Sequence, residues 1–454
     1  MQKNCLLILF LFSFLFITCK KKNDPEPVGL LDVKKSGFSV KDSVYILSYN
    51  RYDTFYIENT GETTLRWVLE ADPQLIKVNL ASSELMPGAK NFLIVRLADH
   101  ITIDQPFNTI LKLTANGATR NIVVTHGMKN TVFLPANDIA DAAFDQQHNT
   151  LYFISGKEDQ LYKYNTVTHA FSALDLGTNP TCLALSPDFS YAVTGHDQLV
   201  TFIDLGSFSV FKAVQTDFTA HDIILNNQKM AYASGVHPAY GVKWISGDAA
   251  SVFSMMLTHG LQYSGIHIEF DSSGKYIYAN APGVSSANLH KYRISNDTPY
   301  FDLSWPYHGE YDAGNKVWLS EKRDVIFSST GNTFKARKSN DKLDMSYNGR
   351  LNNITAVAHL AHNAPANSVY LVSPYQPTGK PQVYVYDAIS LLLKNTIAAD
   401  VYKTMNDANY DEVVHSPQPK FVFCNAAGTT LFVIANMEEL KTAHTWALQQ
   451  LAVK

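Results

Sequence analysis

The sequence predicts an all-β chain, with an N-terminal β-sandwich followed by a β-propeller of seven blades. Three observations carry this expectation. Apolar and polar residues alternate with a period of two, as where Leu65, Trp67 and Leu69 oppose Arg66 and Glu70. Turn-forming residues break the alternation at short intervals. From about residue 129 onward one unit recurs: an apolar strand, a small polar hinge, a tight turn and a second apolar strand.

Composition narrows the class. The chain has 454 residues, 46% of them hydrophobic, which excludes wholesale disorder. Four cysteines are too few for a disulfide scaffold. A net charge of -4, from 37 basic and 41 acidic side chains, offers no electrostatic footprint for nucleic acid.

Residues 1–18 read as a signal peptide. Lys3 precedes an apolar run from Cys5 to Ile17. As a helix that run would span about 20 Å, short of a hydrocarbon core of about 30 Å. The segment Phe16-Ile17-Thr18-Cys19 resembles the lipobox of bacterial lipoproteins, although Phe16 stands where Leu is usual. That resemblance implies that Cys19 becomes the first mature residue and carries lipid. The implied partner is then a membrane, held by more than one acyl chain. The implied location is the cell envelope, as an outer-membrane lipoprotein facing the periplasm or the cell surface. Residues 19–31, with three lysines and two prolines, form a flexible tether. Cys182 and Cys424 lie in apolar strand-like runs and are expected to be buried and unpaired.

Residues 32–128 form the predicted sandwich. Phe55 and Ile57 share one face of a strand, and Asn59-Thr60-Gly61 supplies a turn. Asn116-Gly117 between alternating runs is a strong hairpin signal. The stretch from Phe55 to Trp67 resembles BACON-like and related immunoglobulin-like domains, which place the equivalent Trp in the core. Such domains often accompany carbohydrate-handling proteins, and here the resemblance implies a spacer. Trp67 is expected in the core, since Leu65 and Leu69 share its face.

Residues 129–454 form the predicted propeller. Its hinges are read as Asp145, Ser186, Asn226, Asp271, Ser320, His362 and Asn425, with gaps between 40 and 63 residues. A lone blade cannot bury both faces, so neighbours pack face to face and the ring closes. The last copy lacks room for its own outer strand, and Thr131-Val132-Phe133-Leu134 is positioned to supply it. The segments Asp271 to Tyr276 and Ser186-Pro187-Asp188 resemble the turns of YVTN-type, surface-layer-like propellers. The copies holding Ser320 and His362 are degenerate, so six or eight blades also fit.

No catalytic signature for a nucleophile elbow, zinc protease, phosphate loop, EF-hand or dinucleotide site is present. His359 and His362 have an odd spacing, which on a strand sends them to opposite faces, so no metal site is assigned. The ligand-binding candidates are Asp138, His221, Asp312, Asp411, Glu412 and His415. They sit just before inner strands or on the long Ala399 to Pro419 connection, and so converge on one mouth of the channel. Lys420, Asp400, Asp407, Tyr402 and Tyr410 belong to the same region. Carboxylates there could hold a sugar or a peptide, or Ca²⁺ through oxygen ligands. Tyr300, Trp305, Tyr307, His308 and Tyr311 form an aromatic cluster, read as blade contacts with a sugar-stacking surface as the alternative. The expected function is a monomeric, non-enzymatic binding or interaction module for a glycan, peptide or protein. The alternative is a propeller enzyme acting on a lactone or glycan with acidic residues and Ca²⁺.

Overall fold

The computed structural model describes residues 38–47, 51–101, 105, 107–127, 130–236, 242–248, 251–253, 265–281, 287–307, 309–337, 343–374, 381–405, 412–437 and 445–453. The signal, Cys19 and the tether lie outside the described residues. Every regular element among the described residues is a strand. No described helix is long and apolar enough to cross a membrane.

Two sheets form the sandwich. One orders Phe38–Ser39, Tyr52–Asn59, Lys90–Leu97 and Ile76–Val78. The other orders Ser43–Leu47, Ala118–Gly127, Phe107–Ala115, Leu65–Glu70 and Ser82–Leu85, with the first pair parallel. Alternation decides the core: in Leu65–Glu70 every second side chain is buried and the others are exposed. Trp67 is 1% exposed inside that core. Asn59 is fully buried and anchors the adjoining turn. Its amide donates to the carbonyls of Thr63 and Leu85, and its oxygen accepts the Gly61 N–H. Asn116 (φ 45°) and Gly117 (φ 83°) form the tight turn that brings Ala115 opposite Ala118, as the left-handed preference of Asn-Gly requires.

The propeller has seven blades: five are separate four-stranded sheets, and blades 2 and 3 share one six-stranded sheet. Blade 1 runs Asp141–Asp145, Thr150–Ser155, Gln160–Asn165 and Phe171–Asp175 from inside to outside. Blades 2 and 3 are linked by long strands. Tyr191–Asp204 pairs with Pro180–Leu185 through its first half and with Ser209–Leu225 through its second. Ser209–Leu225 is the outer strand of blade 2 and, from Ala220, the inner strand of blade 3, where it meets Met230–Gly235. Val242–Ser246 and Ser251–Phe253 complete blade 3. Blade 4 holds Ile268–Phe270, Tyr276–Ala281, Asn288–Ser295 and Thr298–Ser304. Blade 5 holds Val317–Leu319, Val325–Ser328, Asn332–Lys335 and Tyr347–Arg350. Blade 6 holds His359–Asn363, Ser368–Val372, Gln382–Asp387 and Leu393–Ala398. Blade 7 holds Gln418–Cys424, Thr430–Asn436 and Trp446–Ala452, and Thr131–Leu134 is its outer strand.

The hinges explain why the unit repeats. Each inner strand ends at a short polar side chain whose oxygen accepts amides of the following turn. Asp145 accepts from Gln147 and His148, Asn226 from Gln228 and Met230, Asp271 from Lys275 and Tyr276. Asn425 accepts from Thr429 and Thr430. The Ser186 hydroxyl accepts from Tyr191, and the Ser320 hydroxyl from Asp324 and Val325. One expected hinge is corrected: in blade 6 it is Asn363, not His362. Asn363 closes the inner strand and accepts the Ala366 N–H, and only its short amide reaches back into the turn.

The sandwich core is continuous with the ring. Its cluster of buried side chains extends into Phe133 on the closing strand and into Ala435, Met437 and Ala447 of blade 7.

Candidate functional site

The inner strands run the same way around the axis, so the residues that begin them share one mouth of the channel. His221 and Asp222 come from blade 3, His267 and Glu269 from blade 4, Lys316 from blade 5, His359 from blade 6, Lys420 from blade 7 and Asp141 from blade 1. Most are held by the adjacent blade. Asp141 accepts the Leu183 N–H at 3.0 Å, and Asp222 accepts the Ile268 N–H at 2.8 Å. The Asp222 carboxylate also lies 3.2 Å from the His267 ring nitrogen. Arg323 reaches Glu269 at 3.3 Å, and Lys420 donates to the Ile139 carbonyl at 2.6 Å across the ring closure. His359 faces the Val422 backbone and lies between Phe421, Phe423 and Trp318.

Lys316 differs from these. Among the described residues its ammonium makes no hydrogen bond or ion pair, and its one aromatic contact is Trp318 at 5.7 Å. Its charge acts on Asp141, His221, Asp222, Glu269, His359 and Lys420, groups of five other blades, which places it near the axis.

Burial sets the proton affinities here. It pushes Asp141 up despite Lys316 and the Leu183 amide, and pushes Glu269 up despite Arg323. Burial also works against ionised Asp222, but the His267 ring and Lys316 carry it below the usual carboxylate range. Burial lowers His221, with the His267 ring 5.0 Å away adding to the effect. It lowers Lys420 and takes His359 down to about 3.

The expected site residues divide. His221 belongs to this group. Asp138 sits close by, where its charge acts on Lys420, but it is engaged by the Ser155 hydroxyl and the Lys157 N–H of a blade 1 turn. Asp312 is an exposed turn residue whose carboxylate accepts the Ala287 and Gly314 amides. Asp411, Asp407, Tyr410 and His308 lie outside the described residues. Glu412 and His415 begin and end the strand Glu412–His415, which pairs with Tyr402–Met405, so the long connection folds into a hairpin. Asp400 precedes that hairpin, tied through its backbone to Gln449. His359 and His362 do diverge: His359 meets blade 7, and His362 accepts the Glu321 N–H of blade 5. Trp305, Tyr307 and Tyr311 pack between blades 4 and 5, with Tyr311 stacked on Tyr347 at 4.0 Å. Tyr300 is exposed on the outer strand of blade 4. No group of metal-binding side chains occurs among the described residues.

The sequence reading missed Asp141, Asp222, His267, Lys316 and His359. A signal was available. All five stand four residues before their blade's hinge, where the other blades carry Cys182 and Phe421. Aligning the copies on the hinges exposes this layer.

No family model matches the chain, and no curated protein matches it. Among solved structures, the β-propeller domain of Cps50 (Swd1) from Myceliophteria thermophila is similar with a TM-score of 0.55 at 12% identity, over 72% of this chain and 99% of that one. Hydrazine synthase of Kuenenia stuttgartiensis matches with a TM-score of 0.48 at 12% identity, over 71% and 97%. At 12% identity the first likeness speaks for architecture alone, and with the seven blades it makes the larger part of this chain a β-propeller.

Proposed function

We propose that this protein is a lipid-anchored module of the cell envelope that binds, without enzymatic turnover, a glycan, peptide or protein partner at the propeller mouth. Cys19 would carry the lipid, residues 19–31 would be the tether, and residues 32–128 would be a spacer that holds residues 129–454 away from the membrane. The observation that supports the binding site is the Lys316 ammonium, which among the described residues has no anion of its own and whose charge acts on groups of five other blades. A carboxylate on the partner, from an acidic peptide or a uronate sugar, matches that charge. Two of the acids whose proton affinity is raised are engaged, Asp141 by backbone amides and Glu269 by Arg323, whereas Asp400 is raised by burial and its Oδ2 has no hydrogen-bond partner among the described residues.

The test is a thermal-shift series on the detergent-solubilised chain. Acidic peptides and uronate oligosaccharides should raise the propeller transition, neutral counterparts should not, and Lys316→Met should remove the shift. Ca²⁺ is included as a separate ligand. Equal shifts in Lys316→Met and the parent chain would overturn this site.

A further inference from the structure

Far from the channel mouth, Lys291 and Asp344 are buried together between blades 4 and 5. Lys291 lies on the third strand of blade 4, and Asp344 precedes the outer strand of blade 5. Their side chains are 1% and 2% exposed, and lysine is rarely buried to that degree. The Lys291 Nζ sits 2.5 Å from Asp344 Oδ2. It lies 4.2 Å from the centre of the Tyr276 ring and 5.1 Å from that of Tyr278, and also donates to the Arg337 carbonyl at 2.9 Å. The other carboxylate oxygen, Oδ1, accepts three hydrogen bonds. They come from the Tyr278 hydroxyl at 2.9 Å, the Arg337 N–H at 2.9 Å and the Met345 N–H at 3.0 Å.

We propose that Lys291 and Asp344 become joined by an amide bond between their side chains, formed by the folded protein itself. Two full charges out of water are costly, and moving one proton from the ammonium to Oδ2 leaves a neutral amine beside a neutral acid. Those are the reactive forms. The amine lone pair attacks Asp344 Cγ, and negative charge develops on Oδ1, where three donors already point. The nitrogen passes a second proton to the Oδ2 hydroxyl, the C–Oδ2 bond breaks, and one water leaves. One C–N bond forms and one C–O bond breaks, with nothing oxidised or reduced. The remaining N–H keeps the Arg337 carbonyl as its acceptor. Fixed proximity replaces an encounter between two free groups, and the neutral product suits the apolar surroundings better than the ion pair. The bond would staple two adjacent blades across a sequence separation of 53 residues.

Peptide mapping by mass spectrometry of the purified full-length chain tests this. The expected result is a branched peptide containing both Lys291 and Asp344, lighter by one water than the two linear peptides together. Lys291→Arg keeps the cation and should yield no branched peptide. Tyr278→Phe removes one donor from Oδ1 and should slow linkage in freshly folded protein by about a hundredfold. Recovery of Lys291 and Asp344 only in separate linear peptides from the folded parent chain would overturn the proposal, whatever the variants do. An unchanged rate in Tyr278→Phe would overturn the part given to the hydroxyl.

Discussion

The sandwich and the propeller bury polar groups differently. In the sandwich, the buried polar side chains among the described residues are Asn59 and His126, and the rest of the core is hydrocarbon and Trp67. The propeller buries hinge and inter-blade groups throughout, including Asp145, Ser186, Asp271, Ser320, His359 and Asn363. A sandwich needs only alternation to set its two inner faces. A ring of sheets has a turn at the end of every inner strand, close against the next blade, with its amides turned away from any ladder partner. Each turn needs an internal acceptor. The same need makes the repeat visible in the sequence and makes the propeller more sensitive to polar changes.

Three perturbations would break or sharpen this contrast. The largest effect is expected in the sandwich from Trp67→Ala, at about 3–5 kcal/mol, because an apolar core loses both transfer energy and packing. The Trp67 ring nitrogen has no hydrogen-bond partner among the described residues, so the loss is one of volume. Calorimetry should show the sandwich transition falling while the propeller transition persists. A single joint shift would mean that the shared cluster through Phe133 and Met437 couples the two regions into one unit.

The second is a pH effect in the propeller. Burial holds His359 at about 3 when folded, while an unfolded His titrates near 6.5. The unfolded chain therefore binds the extra proton between those values. The stabilisation is present above about pH 6.5 and is lost as pH falls toward 3, at about 1.4 kcal/mol per unit for this group. Denaturation midpoints taken from pH 7 to pH 5 should fall for the propeller, with a shallower fall in His359→Gln. His196, His290 and His362 are lowered by burial as well, so part of the slope should remain. An unaltered slope in His359→Gln would remove this residue from the account.

The smallest effect is expected from Asn226→Ala, which strands two turn amides near the surface and should cost about 1 kcal/mol. A thermal melt checks it. A loss as large as that of Trp67→Ala would mean that hinges nucleate blades rather than merely complete them.

Much of the architecture was legible because it rests on local chemistry. Asn116-Gly117, the hinge residues and the closing strand Thr131–Leu134 all announce themselves within a few positions. The slip from Asn363 to His362 arose because both are polar and adjacent, and only hydrogen-bond reach separates them. The site was less legible. Asp312 and Asp138 have the right position along the chain, yet backbone amides engage them. Lys316 and Asp222 acquire their character from groups more than forty residues away, through a ring closure that no local window contains.

The closing strand has a consequence for biosynthesis. Thr131–Leu134 leaves the ribosome with the sandwich, whereas its partner Trp446–Ala452 is made much later. For most of synthesis the strand has no sheet to join. Phe133 belongs to the sandwich's own apolar cluster, which gives the strand a berth while some three hundred residues are added. The earlier domain thus serves as a jig, presenting one half of a clasp until the other half arrives.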